Sequence, residues 1–143
     1  MAEVSDVFNA AMAIMDELND SGEAQTADTQ EYKNRTLPIM NVLISECYPY
    51  SDSKDTTKPD SAWRAVTEFD DSLYKIDDTI ALGIMPYGLA ANLLVDENPS
   101  AASFYQARYE ELLRGKARRV RASVEDIEDI YGGIGHGWFS SWG

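Results

Sequence analysis

Residues 77–95 read DDTIALGIMPYGLAANLLV. Apolar side chains fall all round a helical wheel here, the mark of a helix at the centre of a domain rather than on its surface. The run is shorter than the ~20 residues a membrane-spanning helix needs, and Gly83, Pro86 and Gly88 interrupt it, so it predicts a buried core helix over residues 79–95. Asp77 or Asp78 supplies an N-cap, Pro86 predicts a kink, and Gly83 and Gly88 let a neighbouring helix approach closely.

Working outward, the flanks must supply what packs on that helix. Val4, Val7, Phe8, Ala11, Met15 and Leu18 lie on one face of a 3.6-residue period, predicting a first helix over residues 6–19 with Ser5 as N-cap. A second pattern runs from Asp28 or Thr29 to Cys47 and turns Leu37, Met40, Leu43, Ile44 and Cys47 to one side; Pro38 predicts a kink or a restart capped by Thr36. Residues 48–61 hold Pro49, Pro59 and many Ser, Asp, Thr and Lys residues, the composition of a polar surface loop. A short extended piece is predicted over residues 63–69. Downstream, Asn98-Pro99 is a helix start, Asn capping and Pro filling the first helical position. The stripe Ala102, Tyr105, Tyr109, Leu112 and Leu113 carries that helix to about Arg119. Ser123 and Asp126 form the pattern of a capping box that opens a further short helix with Val124, Ile127 and Ile130, stopped by Gly132-Gly133. The predicted fold is all-α: a small bundle of four to five helices over residues 1–131, followed by an extended, flexible Gly/aromatic tail over residues 132–143.

Composition narrows the chemistry. The chain has 143 residues, a length that suits one domain with a real core. The single Cys47 allows no internal disulfide, and a lone His136 excludes multi-histidine metal sites, Cys/His zinc sites and His-paired triads. Cys47 falls on the apolar face of the second helix, where a free cysteine packs as a small hydrophobe. Tyr105 and Tyr109, one turn apart, read as core or inter-helix contacts. The glycine cluster at residues 132–137 lacks the strand before and helix after it that phosphate binding requires. The carboxylate pairs Asp70/Asp71, Asp77/Asp78 and Asp96/Glu97 sit where caps and loops are expected. No enzyme, cofactor or metal follows from these residues. No basic, apolar leader opens the chain, which predicts a cytosolic or cytosol-assembled protein without membrane contact.

Charge divides the chain. Residues 1–99 carry 19 acids and 6 bases, residues 100–143 six of each, for a formal net charge of −13. Such acidity disfavours general nucleic-acid binding, which depends on neutralising phosphates. Five bases, Arg114, Lys116, Arg118, Arg119 and Arg121, fall within eight residues and predict an electrostatic contact with an acidic partner or a neighbouring copy. In the tail, Trp138, Phe139 and Trp142, preceded by Tyr131, have no helix or strand of their own to bury them; they must fold back over the domain or dock on another protein, and docking is the expectation.

DDTIALGIMPYGLAANLLVDENPSAASFYQARYEELL (residues 77–113) and IEDIYGGIGHGWFSSWG (residues 127–143) together resemble head-tail connectors of the adaptor type from long-tailed, siphovirus-like bacteriophages. MPYGLA from Met85, RYEELL from Arg108 and DIYGG from Asp129 carry most of the likeness, and none is a catalytic signature. The resemblance implies a non-enzymatic virion protein at the head-tail junction, assembled in the host cytoplasm. It implies a ring, commonly dodecameric, below the portal protein, with head-completion (stopper) or tail proteins as further partners. DNA would pass through the channel without specific binding, and the acidic excess would keep the duplex from sticking. A tail-terminator or other neck or tail-completion protein is the nearest rival, separated by its partner, the tail tube rather than the portal. A small acidic host-directed binding protein is a third, which would be monomeric or dimeric and would bind a DNA-binding protein.

Overall fold

A computed structural model describes residues 1–58 and 60–132, with side chains as far as residue 118. Among the described residues the fold is all-α, with five α-helices, two 3-10 turns and no strand. The helices are α1 (Val4–Ile14), α2 (Gln30–Cys47), α3 (Asp78–Gly83), α4 (Met85–Leu94) and α5 (Pro99–Gly132). The chain divides into two compact units, Met1–Leu113 and Arg114–Gly143. The tail beyond Gly132 lies outside the described residues.

The central stretch is buried as its composition dictates, but it is two helices rather than one. Ile84 separates α3 from α4, and Pro86 opens α4 within its first turn, where its missing N–H costs nothing. All of α4 except Tyr87 and Asn92 is buried, and it packs on both α1 and α2. The two glycines differ. A Cβ on Gly88 would lie 2.8 Å from Leu43 Cδ2 and 3.0 Å from two ring carbons of Tyr109, so α4 meets α2 and α5 there only because the side chain is a hydrogen. Gly83 has nothing within 4 Å of its Cβ position and admits no close neighbour.

Other boundaries move for identifiable reasons. Helix α1 stops at Ile14 instead of reaching residue 19, because Asp16 adopts a left-handed conformation (φ 60°) and Glu17 N–H reaches back to Met12 O at 2.8 Å. That is a Schellman-type ending with Asp in the usual glycine position, and it leaves Leu18 40% exposed. Glu3, not Ser5, is the N-cap, and its N–H donates to the Asp6 carboxylate at 2.9 Å. Helix α2 starts after a 3-10 turn at Ala27–Thr29 and continues through Pro38 without a restart. Thr36 lies inside it, buried, its hydroxyl donating to Tyr32 O at 2.8 Å. Core contacts of Tyr32 on one side of Pro38 and of Met40, Leu43, Ile44 and Cys47 on the other outweigh the lost backbone bond. Ser123 opens no new helix, since α5 is continuous from Pro99 to Gly132.

The segment predicted as extended runs without helix, yet gains no strand partner. Asn41 of α2 takes that place: its side chain accepts from Val66 N–H at 2.7 Å and donates to Val66 O at 3.2 Å, the pair of bonds an adjacent strand would have made. A few residues on, Leu73 N–H donates to Ala2 O, Val4 N–H to Asp71 O and Ser5 N–H to Phe69 O, tying the chain start to this connection around a single Glu3–Ser72 bridge. The loop expected to be wholly superficial instead opens with a 3-10 turn whose Tyr48 is fully buried, as is Ser51.

Gly88→Ala is expected to destabilise by about 1–3 kcal/mol in urea or thermal unfolding, because overpacking against Leu43 and Tyr109 exceeds the helix-propensity gain of about 1 kcal/mol. Gly83→Ala, facing open space, is expected to be neutral or mildly stabilising, and equal losses at both positions would contradict this packing.

Candidate interaction surface

The groups with chemical potential in the first unit are occupied by structural contacts. Cys47 is fully buried, with its Sγ 3.3 Å from the Tyr109 hydroxyl, which in turn donates to Glu46 Oε1 at 2.9 Å. Burial pushes the thiol up to about 12, and burial with the neighbouring thiol and Glu46 pushes the Tyr109 phenol far above its ordinary value. Buried and held protonated at neutral pH, the thiol packs as a small hydrophobe. Tyr105, half-buried, donates to Ile14 O at 3.1 Å and so secures the end of α1 to α5.

At least one member of each carboxylate pair accepts a hydrogen bond from elsewhere in the chain. Asp71 accepts from the N–H groups of Thr67 and Glu68 at 2.8 and 2.9 Å, and these bonds lower its pKa. Asp77 sits at the N-cap of α3, but its side chain turns away from the helix and accepts from Asp52 N–H at 2.6 Å and Ser53 Oγ at 2.7 Å. Asp78 accepts from Ala2 N–H at 3.2 Å. Glu97 accepts from the Tyr32 hydroxyl, which burial and that carboxylate together raise well above its usual pKa. Arg35 lies over the Tyr32 ring and donates to Leu93 O near the end of α4, where a cation suits the helix dipole. Among the described residues no group of three or more His, Cys, Asp and Glu side chains could hold a metal ion, and no helix is long and apolar enough to cross a membrane.

The residues read from the sequence as contact points all fall at or beyond the end of the first unit. Arg114 and Arg118 are exposed on α5, whereas Lys116 is buried. Lys116 lies seven residues after Tyr109 and therefore on the same helical stripe, so it does not belong with the exposed bases. Arg119, Arg121 and Tyr131 are on α5 with side chains beyond those described, and Trp138, Phe139 and Trp142 lie outside the described residues.

Exposed large apolar side chains of the first unit are Met1, Leu18, Val42 of α2, Leu82 of α3, Val95 and Phe104 of α5. Phe104 is 65% exposed and Val95 56% exposed. Phe104 stands edge-on to Tyr105 at 5.6 Å, Tyr105 lies 6.4 Å from Tyr87, and Arg108 covers Tyr87 at 5.9 Å, making an aromatic and arginine cluster of the composition favoured at interfaces. Beside it, Ala91 and Asn92 of α4, Val95 at its C-cap, and Ala102, Gln106 and Glu110 of α5 are among the residues lining an open groove of about 470 Å³. The sequence reading passed over Phe104, although its signal is plain: a large aromatic residue directly before Tyr105, off the stripe that α5 buries. No family model, curated protein or solved structure matches the chain.

Native protein is expected to resist thiol reagents at pH 8, with Cys47 labelled only at the rate of unfolding. Because the folded pKa values of Cys47 and Tyr109 lie above their unfolded values, their contribution is complete below about pH 9 and is lost as pH rises toward 12 and beyond. Denaturant midpoints should therefore fall from about pH 9 upward. Prompt stoichiometric labelling, or alkaline stability that does not change, would contradict the buried contact.

Proposed function

We propose that this chain is a structural virion protein of a tailed bacteriophage, a head-tail connector that forms a ring below the portal and joins the DNA-filled head to the tail. The observation that carries the reading is where the connector-like sequence falls. Residues 77–113 fold as α3, α4 and the first part of α5, so one stretch supplies both the centre of the body and its exposed aromatic and apolar face. A protein whose reactive groups are committed to packing and whose open surface is rich in Phe, Tyr and Arg works by docking.

The charge distribution fits a passage for DNA. Residues 1–113 hold 21 acids against seven bases, a formal −14, while the remaining residues hold five bases and four acids. A ring of such bodies repels the duplex, and the bases Arg114 and Arg118 on α5 face acidic neighbours or the portal rather than DNA. Tyr131, Trp138, Phe139 and Trp142 are the anchors for the portal or an adjacent copy. The chain carries out no catalysis and needs no cofactor.

Electron microscopy of particles from the encoding phage, with the chain tagged, should show label in a ring at the head-tail junction. A variant lacking residues 134–143 should keep a similar melting temperature and yield full heads without tails. Label on the tail tube or absent from virions would overturn the connector reading. Normal joining by the truncated chain would remove the aromatic tail from it.

A further inference from the structure

Residues 64–67 and 71–74 run past each other in opposite directions without forming a ladder. At one end the Asp71 carboxylate accepts from Thr67 N–H at 2.8 Å, and at the other the Arg64 guanidinium lies over the Tyr74 ring, 3.8 Å from its centre. Between these ends is an open recess of about 270 Å³, with Arg64, Ala65, Asp71, Ser72 and Tyr74 among its lining residues. Successive residues of an extended chain turn to opposite sides, and that alternation explains the gap. Val66 directs both backbone groups outward to Asn41, so Ala65 and Thr67 turn inward. Asp71 and Leu73 bond outward to Val4 and Ala2, so Ser72 turns inward. With Thr67 across from Asp71 and Arg64 across from Tyr74, inward Ala65 stands opposite outward Leu73, and inward Ser72 opposite outward Val66.

Two edges offset by one residue cannot pair directly, but they match the two sides of a single strand laid between them, whose residues bond alternately left and right. We infer that the recess takes the first residues of an extended peptide with a free amino terminus, paired to Ser72 on one side and to Ala65 on the other. Three observations select this occupant. First, the backbone groups of Ala65 and Ser72 have no partner among the described residues, and an incoming main chain supplies one to each. Second, the recess is closed at one end by the turn at residues 68–71, where Asp71 N–H donates to Glu68 O and the Asp71 side chain crosses to Thr67. A chain can enter there but cannot run through, so its end must lie inside. Third, charge decides which end. Asp71 Oδ2 accepts the N–H groups of Thr67 and Glu68, whereas Oδ1 makes no hydrogen bond among the described residues and can accept from an ammonium group; a terminal carboxylate would be repelled. At the mouth, stacking on Tyr74 leaves the edge of the Arg64 guanidinium to donate to a carbonyl of the entering chain. From Thr67 to Arg64 is about 10 Å of extended chain, room for two or three residues of peptide.

The site is independent of the connector reading, since it asks of its partner only a free amino terminus, and the purified full chain tests it. Nitrogen-15-labelled protein is titrated with the peptide amide Ala-Val-Thr-Val, up to about 10 mM, at about pH 6.5, where the peptide amine is charged. The backbone amide signals of Ala65 and Ser72 should shift and saturate. Acetylating the peptide's amino terminus removes the charge and should weaken binding by about tenfold or more. Asp71→Asn keeps an acceptor for Thr67 and Glu68 but not the charge, and should weaken binding of the free-amine peptide to a similar extent. If that variant loses its helical circular dichroism, the acetylated peptide on the wild type makes the same comparison. Absence of shifts at Ala65 and Ser72, shifts confined to the α4–α5 groove, or equal binding of the acetylated peptide would each overturn the inference. Undiminished binding by a folded Asp71→Asn chain would overturn it as well.

Discussion

The body is organised by the absence of a side chain at Gly88. Three helices converge where that Cα faces Leu43 of α2 and the ring of Tyr109 on α5, at distances that leave no room for a methyl group. The convergence fixes more than a contact. It sets the Tyr109 hydroxyl against Cys47 and Glu46, so that a phenol at the bottom of an apolar junction has both a neighbour inside and an acceptor outside. A buried hydroxyl without such a partner would cost about 1–3 kcal/mol, so the polar pairing makes the tight approach tolerable. Tyr105, one turn earlier, then reaches Ile14 O, and the same helix secures α1.

Polar side chains serve as connectors where the chain has no regular partner. Asn41 stands in for a β-strand against Val66, Asp71 closes the turn at Thr67 and Glu68, and Asp77 fastens the loop after α2 to the start of α3. The links from α1 to α2 and from α2 to α3 are long, and backbone groups in them must be satisfied where they pass over the core. Much of the acidic excess is thereby accounted for locally. A carboxylate accepts two backbone donors in a small space, which is why Asp recurs where the chain turns.

The sequence is legible wherever one period dominates. α2 falls close to its expected bounds because stripe and burial agree, and the start of α5 because the Asn98 cap joins them, while the all-round apolar pattern of residues 79–95 correctly marks the centre. Misreadings arise where a local geometry competes with periodicity. Leu18 continues the α1 stripe, yet the left-handed Asp16 has already ended the helix. Ser123 and Asp126 make the pattern of a start, but a helix already under way absorbs them without a break. Gly83 and Gly88 look alike in sequence, and only the packing of α2 and α5 distinguishes them. Among the candidate contact residues, the bases and tail aromatics stand out by composition, whereas the exposed Phe104 is hidden by the half-buried tyrosine beside it.

Exposure of Phe104 follows from the same geometry that buries Tyr109. A helix pinned along the stripe Ala102, Tyr105 and Tyr109 turns residues 103, 104, 107 and 108 outward. Three of these, Ser103, Ala107 and Arg108, are small or charged and suit water. Phe104 does not, and nothing in the fold requires an aromatic residue there, since Tyr105 already makes the tether to α1. The ring stands edge-on to Tyr105 at 5.6 Å and is otherwise 65% exposed, so most of its apolar area gains nothing from the fold. α5 is thus both the closing element of the core, through Tyr109, and the bearer of an exposed aromatic side chain, Phe104.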